Sequence, residues 1–395
     1  MNKIFFSHPL MQNNITKKDL DVACKFLKKN PILTQSVQVE NFEKIWSRWL
    51  GVKYSVFVNS GSSANFLSLK ALKIHQNKSD EILVPTLTWN SDIVSVIENG
   101  FKPIFVDISL NNLSMDENDL IKKINKNTQA IFITHAQGFN GLTDRILKKI
   151  KEKNITLIED VCESHGAKFK NRKLGTFGLI SNFSFYYAHH LSTIEGGMIC
   201  TNSKKIFEIC RMLRGHGLLR EAKDKKFKQD LERKHLDLSK DFIFMYPGYN
   251  MRNNEISAVI GINGIKRLDE NNKKRSKNFL YFLKNLNHKF FYKDFLTGGS
   301  SNYAFPLILN KDYVHLKKKL ENVMEMNQIE FRRGNAGGGN QLRQPYLKNY
   351  LKKLDLNNFQ NVEHVHFYGY YIGNYPELKL QKIKKITEIL NSIDA

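Results

Sequence analysis

The sequence predicts an α/β protein with a mostly parallel sheet, followed by a smaller C-terminal α+β lobe. Three observations point there. Short apolar runs recur between residues 54 and 202, helical patterns separate most of them, and the residues able to do chemistry fall just beyond their ends. Apolar strands alternating with helices describe a sheet covered on both faces. In such sheets functional groups gather in loops at the carboxyl ends of the strands.

The elements follow in order. Thr16 can cap a helix over 16–29, with Asp19 three residues on in a near capping box. The run at 54–58 ends in NSGSSAN and gives way to an amphipathic helix over about 63–74. EILVP (81–85), KPIFVDI (102–108), QAIFITHA (129–136) and ITLIEDV (155–161) are separated by helices near 90–99, 117–125 and 144–153. SNFSFYY (181–187) and GGMICTN (196–202) complete the set of seven runs before a helix near 204–214. Residues 221–240 form a charged surface excursion. From Asn254 a helical segment leads into the smaller lobe, which has one strand-like run at 303–309 and a glycine-rich loop, RRGNAGGGNQ, at 332–341. The division expected is 1–253 for the large lobe with its N-terminal segment and 254–395 for the small one.

Composition narrows the function. The 395 residues are 41% hydrophobic and 11% aromatic, enough for a large packed core. No apolar run approaches the roughly 20 residues that span a bilayer, and the start, MNKIFF, is too short for a secretory signal. A cytoplasmic protein without membrane contact is expected. Cys24, Cys162, Cys200 and Cys210 are widely spaced, as free thiols would be. The net charge of +23 invites a nucleic-acid reading, but the lysines are scattered among Asp, Glu and Asn as on solvated helix faces. No nucleic-acid partner is expected.

Several segments carry chemistry. In NSGSSAN, small residues between strand and helix leave backbone N–H groups for a phosphate; Gly61 allows close approach and Ser62 adds a hydroxyl. A plain helix cap has the same pattern. In IEDVCESHG, Asp160 follows an apolar strand, where a carboxylate can pair with a protonated ring nitrogen or simply make a structural hydrogen bond. Trp89, after PTLT, suits a core position or the cover of a flat ring. In FSFYYAHHLSTIEGGM, His189 and His190 end an aromatic strand. Adjacent histidines point different ways and no HExxH spacing accompanies them, so no metal site is expected.

Together NSGSSAN, PTLTWNSD, VDI, ITHAQG, IEDVCESHGA, GTFG, FSFYYAHH, EGGMICTN, RGHG and GYNMRNNEISAVIG resemble the DegT/DnrJ/EryC1/StrS group. These are sugar-modifying, fold-type I pyridoxal-phosphate enzymes, aspartate aminotransferase-like, with a mostly parallel seven-stranded sheet. The likeness runs over nearly the whole chain. In that group the aromatic strand usually ends in a form like FSFYPTKN, whose lysine holds the cofactor covalently. Here His189 stands at that place, and Lys168, Lys170 and Lys173 lie before the strand in a polar turn. The stretch HHLSTIEGGM is similar to the sugar 3-dehydratases, above all the GDP-4-keto-6-deoxymannose 3-dehydratase subgroup. A second histidine-bearing subgroup carries an iron–sulfur cluster held by late cysteines. This chain has none after Cys210, so no such cluster is expected.

The resemblance implies non-covalent pyridoxal 5'-phosphate and its pyridoxamine form, with L-glutamate as amino donor and a nucleotide-linked 4-keto deoxysugar as substrate. It implies that His189 is the catalytic base, suited by a pKa near neutrality. Asp160 would hold the pyridinium, Trp89 would stack on the ring, and Gly61, Ser62 and Ser184 would hold the phosphate. Glu163 would sit near the cofactor's oxygen. A homodimer with composite sites is implied, in which Asn250 of GYN reaches the neighbour's phosphate. His216 is a candidate for the sugar, and Arg332 and Arg333 for substrate phosphates or the glutamate carboxylate; surface arginines are the plainer reading of that pair. The GGG run is either a place of close backbone approach or a flexible loop. An ordinary sugar aminotransferase and an inactive, cofactor-binding regulator are the alternatives.

Overall fold

The computed structural model describes residues 6–350 and 355–394. Seven strands form its main sheet: β1 (Tyr54–Val58), β2 (Glu81–Pro85), β3 (Lys102–Val106), β4 (Thr128–Thr134), β5 (Thr156–Asp160), β8 (Ile180–Ser184) and β9 (Gly197–Thr201), with β6 (Lys168–Phe169) and β7 (Arg172–Lys173) forming a small separate hairpin. The order across the sheet is β1-β9-β8-β5-β4-β2-β3. All neighbours are parallel except β9, which runs antiparallel to both β1 and β8. Alternation along the strands sends Val56, Ala130 and Phe132 into one core and Phe57, Ile131 and Ile133 into another. Burial on both faces is why these strands read as continuous apolar runs.

The intervening helices match the expected ones closely. They are α3 (Gly61–His75), α4 (Asn90–Glu98), α5 (Glu117–Lys123), α6 (Asp144–Lys153) and α7 (Lys204–Arg214), preceded by α1 (Lys17–Leu27) and α2 (Val37–Leu50). Thr16 and Asp19 form the capping box of α1. The sequence does not mark α2, whose first turn is capped from a distance. The Glu255 carboxylate accepts from the N–H groups of Ser36, Gln38 and Val39 at 2.8–2.9 Å. The charged excursion contains a short helix, α8 (Lys225–Glu232), with no buried residue.

Beyond it come α9 (Glu255–Gly264) and α10 (Leu268–Asn285), then a second sheet of β10 (Ala304–Ile308), β11 (Phe331–Arg333) and β12 (Gly369–Gly373) in the order β10-β12-β11. Helices α11 (Lys317–Met326), α12 (Gln360–Tyr368) and α13 (Leu380–Asn391) accompany that sheet. The sequence shows only β10, because β11 is short and charged and β12 begins and ends in glycine. The glycine-rich loop is packed, not free: Gly337 meets the Thr88 carbonyl, and the Gln341 N–H bonds to Thr86 O at 2.9 Å. Among the described residues no helix is long and apolar enough to cross a membrane.

The antiparallel β9 joins the two loops that matter most. A Cβ at Gly197 would run into the Ser60 carbonyl, and one at Gly61 would lie 2.5 Å from Ser184 Cβ. The NSGSS turn and the end of β8 are therefore pressed together with no space between them. Gly197→Ala overpacks this seam and is expected to cost about 1–3 kcal/mol. Urea unfolding measures it, and an unchanged midpoint would show that the seam can yield.

Candidate active site

Five strand ends meet at one side of the sheet. After β1, Ser60 caps α3 through Ser63 N, and the first-turn amides of Gly61 and Ser62 have no carbonyl within the helix to bond. Ser184, at the end of β8, is buried against Gly61. This backbone cradle, at the positive end of a helix, suits a phosphate. After β2, Trp89 stands at the start of α4 and is 59% exposed.

Asp160 ends β5 and is only 4% exposed. Its carboxylate accepts from Cys162 N at 2.8 Å and from Asn65 Nδ2 of α3 at 2.9 Å. Neither donor is charged, so a cationic ring nitrogen would find an uncompensated carboxylate waiting. Its neighbour Glu159 points to the opposite face. There the GTFG loop closes on it, with the N–H groups of Gly175, Phe177 and Gly178 at 2.7–2.9 Å. One strand thus presents one carboxylate for the fold and one for the site.

Glu163 accepts from Gln137 N at 2.7 Å and from the Tyr303 hydroxyl at 3.3 Å. Burial, with the charge of Asp160 adding to it, pushes its carboxyl up to about 7. Gln137, fully buried, turns its N–H toward Glu163 with a left-handed backbone, φ 50°.

His189 lies in the turn after β8. Its ring centroid is 6.1 Å from that of His165, 6.3 Å from Tyr303 and 6.4 Å from Tyr186. Nδ1 is enclosed without a partner, which leaves Nε2 as the atom to meet a substrate. Burial lowers the imidazole to about 4, against the pull of the Asp160 charge. The ring is neutral at pH 7, as a proton acceptor must be, and a weaker base than free imidazole.

The support of His189 comes from residues that the sequence does not flag. Asn14 Nδ2 bonds to His189 O at 2.6 Å, and Asn14 Oδ1 accepts from Ser192 N at 3.1 Å. Beneath it, His165 stacks on His190 at 5.2 Å and meets Trp46 of α2 edge-on at 5.6 Å. His190 points away from His189's opening and bonds through Nε2 to Ser301 O at 2.8 Å. Tyr303 links the small lobe to Glu163 and both histidines. These contacts join residues hundreds of positions apart, so no local pattern announces them. Of the lysines before the strand, Lys170 pairs with Asp144 at 2.5 Å and Lys173 bonds to the Trp49 carbonyl.

The remaining candidates divide. His216 and Asn250 are both exposed and sit on paired backbones, with His216 N to Tyr249 O at 2.8 Å and a bridge between Gly215 and Asn250. The same segment runs beside the phosphate turn through Asn59 N to Met251 O at 3.1 Å. Arg332 and Arg333 face opposite sides of the second sheet. Arg332 shares its side with Tyr371 and thus with Tyr303 and Glu163. Arg333 is turned to the far side, where Glu321 holds it in a two-pronged pair at 2.6 and 2.9 Å. Arg333 is therefore set aside as a substrate ligand, because strand alternation sends it away from the site. A recess of about 450 Å³ lined by Arg48, Tyr54, Phe207 and Arg211 lies at the amino end of β1 and contains none of these residues.

Residues 13–391 match the family model described as the DegT/DnrJ/EryC1/StrS aminotransferase family. The chain is 34% identical over 390 residues to GDP-4-keto-6-deoxy-D-mannose 3-dehydratase of Escherichia coli O55:H7, covering 97% of this chain and 99% of that one. Its fold superposes on the Escherichia coli enzyme of that name with bound hydrated PLP at a TM-score of 0.89, with 32% identity over 98% of this chain and all (100%) of the other. A second structure of a GDP-4-keto-6-deoxymannose 3-dehydratase, with bound GDP-perosamine, matches at a TM-score of 0.87 and 32% identity over 97% and 100% of the two chains. The architecture is thus that of the fold-type I enzymes.

The neutral His189 carries a sign for stability. Its value is lowered from 6.5 to about 4, so between those limits an unfolded chain takes up a proton that the native ring refuses. Stability is complete above pH 6.5 and declines as pH falls toward 4. The stability difference between wild type and His189→Asn, from urea unfolding, is expected to shrink over that window. A difference independent of pH would show that the ring is not enclosed.

Proposed function

Because this chain belongs to the DegT/DnrJ/EryC1/StrS aminotransferase family, we propose that it is a 3-dehydratase of a nucleotide-linked 4-keto-6-deoxysugar, dependent on pyridoxal and pyridoxamine phosphate. The sugar is GDP-linked, a hexose or heptose, and L-glutamate is the amino donor. The products are the 3,6-dideoxy-4-keto sugar, 2-oxoglutarate and ammonia. One observation carries the reading: a phosphate cradle, a buried carboxylate and a neutral imidazole converge, while Lys170 and Lys173 are held elsewhere. The identity to a GDP-4-keto-6-deoxy-D-mannose 3-dehydratase over nearly the full length of both chains supports the choice of sugar.

The residues fit the cofactor by their chemistry. The amides of Gly61 and Ser62 and the hydroxyl of Ser184 would hold its phosphate, Asp160 its ring-nitrogen proton, and the indole of the exposed Trp89 would cover its ring. When bound, the cofactor supplies an amine for the sugar ketone and an electron-withdrawing ring that stabilises negative charge on carbon. His189 Nε2 takes a proton and later returns it, so that the 3-hydroxyl can leave. A lysine there would compete for the cofactor's aldehyde and could reprotonate the sugar, favouring amino transfer. Glu163, poised near neutrality beside Tyr303, supplies or accepts a proton at the cofactor's oxygen side. Arg332 is the better placed arginine for an anionic substrate group.

We take residues 1–253 as the cofactor lobe and 254–395 as the smaller one, a division that the two separate sheets support. A homodimer completes the site. Exposed Tyr186, Ile194, Phe242 and Phe244 lie in the segments that carry His189 and pair with the RGHG turn, and Asn250 is exposed beside them, suited to a partner's phosphate. The four free thiols suit a cytoplasmic setting.

Purified protein given PLP, glutamate and GDP-4-keto-6-deoxymannose is expected to yield 2-oxoglutarate, ammonia and a deoxygenated sugar by mass spectrometry. His189→Asn should slow this by about 10²–10⁴-fold. A stable amino sugar would make the protein an aminotransferase, and no turnover with retained cofactor would make it a binding protein. Borohydride treatment of the PLP form should leave no cofactor attached to a lysine.

A further inference from the structure

Behind Asp160 lies a second carboxyl that the proposed chemistry has not used. Asp92, in the first turn of α4, is fully buried, at 0% exposure. One amide nitrogen, Asn65 Nδ2, reaches both groups, at 2.6 Å to Asp92 Oδ1 and 2.9 Å to Asp160 Oδ2. The other Asp92 oxygen is met by the hydroxyls of Thr88 at 2.5 Å and Thr134 at 2.6 Å, which touch one another at 2.8 Å. Every one of these partners is neutral.

An acidic residue in a first helical turn ordinarily complements the helix dipole and stays ionised. Asp92 does not follow that pattern. Its carboxyl turns to side chains of β2, β4 and α3, and its own N–H bonds to Trp89 O at 3.2 Å. Two carboxylates bridged by one amide, with no cation paired to either among the described residues, cannot both remain charged in an interior. The proton goes to the deeper of the two. Burial drives the Asp92 carboxyl well up, and the charge of Asp160 drives it further.

We propose that Asp92 is a positioning residue held as the neutral acid: it braces Asp160 through Asn65 and leaves the pair a single negative charge to meet one protonated ring nitrogen. This rests on the cofactor reading above for its purpose, though not for its proton. A doubly charged pair would hold the ring nitrogen's proton too tightly and would repel Glu163. With one charge, Asp160 keeps a fixed orientation and an acceptor face directed outward, while the threonine pair and Asn65 hold the acid behind it.

The test has two readouts. Infrared difference spectra of the apo-protein at neutral pH, wild type against Asp92→Asn, should show a protonated carboxylic-acid band that the substitution removes. Absence from the wild type of any such band that Asp92→Asn removes overturns the proposal; the band of Glu163, whose carboxyl stands at about 7, is common to both proteins. Calorimetric titration with pyridoxamine phosphate then compares the neutral amide with a truncation. Asp92→Ala should bind about tenfold more weakly than Asp92→Asn, the effect of a lost buried hydrogen bond. Equal weakening by both would mean that the charge of Asp92 matters and not its shape, and would also overturn it. If the wild type binds no pyridoxamine phosphate at all, the functional reading fails while the infrared result still decides the proton.

Discussion

The site is organised around one buried carboxylate. Asp160 can stand at the end of a central parallel strand only because its surroundings satisfy it with neutral donors and leave one side open. A buried charge without partners is costly, and the cost falls when Asn65 and the Cys162 amide bond to it. That requirement fixes α3 and the turn after β5 relative to each other. Since α3 also begins at the phosphate cradle, the carboxylate and the cradle are placed by one rigid element. Glu159 on the other face is satisfied by three amides of GTFG, which ties the next loop to the same strand.

The second constraint is aromatic. His189 and His190 both stack on His165, which Trp46 meets edge-on; Tyr303 flanks His189 and His190, and none of the three imidazoles is free to take up a proton cheaply. Burial makes His189 neutral, with the charge of Arg275 adding to it. A base built this way is weak, so its usefulness depends on position more than on strength. Position is supplied by Asn14 from the amino-terminal segment and by Ser301 and Tyr303 from the other lobe. The placing of His189 is therefore a property of the whole chain, although the residue itself sits in a short motif.

Much of the main sheet was legible because burial on both faces leaves apolar runs that end in glycine, serine or acidic turns. The capping box at Thr16 and the cap at Ser60 were legible for the same local reason, since a helix start is written in a few adjacent residues. Helix α2 was not, because its cap comes from Glu255, far along the chain. Strands β11 and β12 were not, because one is charged and the other is bounded by glycines.

By itself the sequence determined the layered α/β order, the strand ends at which chemistry gathers, and the histidine pair that ends the aromatic strand. These are local matters of periodicity, turn chemistry and residue type. Tertiary structure decided the rest. It turned Arg332 toward the site and Arg333 away, because adjacent strand residues face opposite sides. It packed the GGG loop against Thr88 and placed Asn14 under His189. It also set Asp92 against Asp160, the two joined through the one amide of Asn65, a pairing that no motif records.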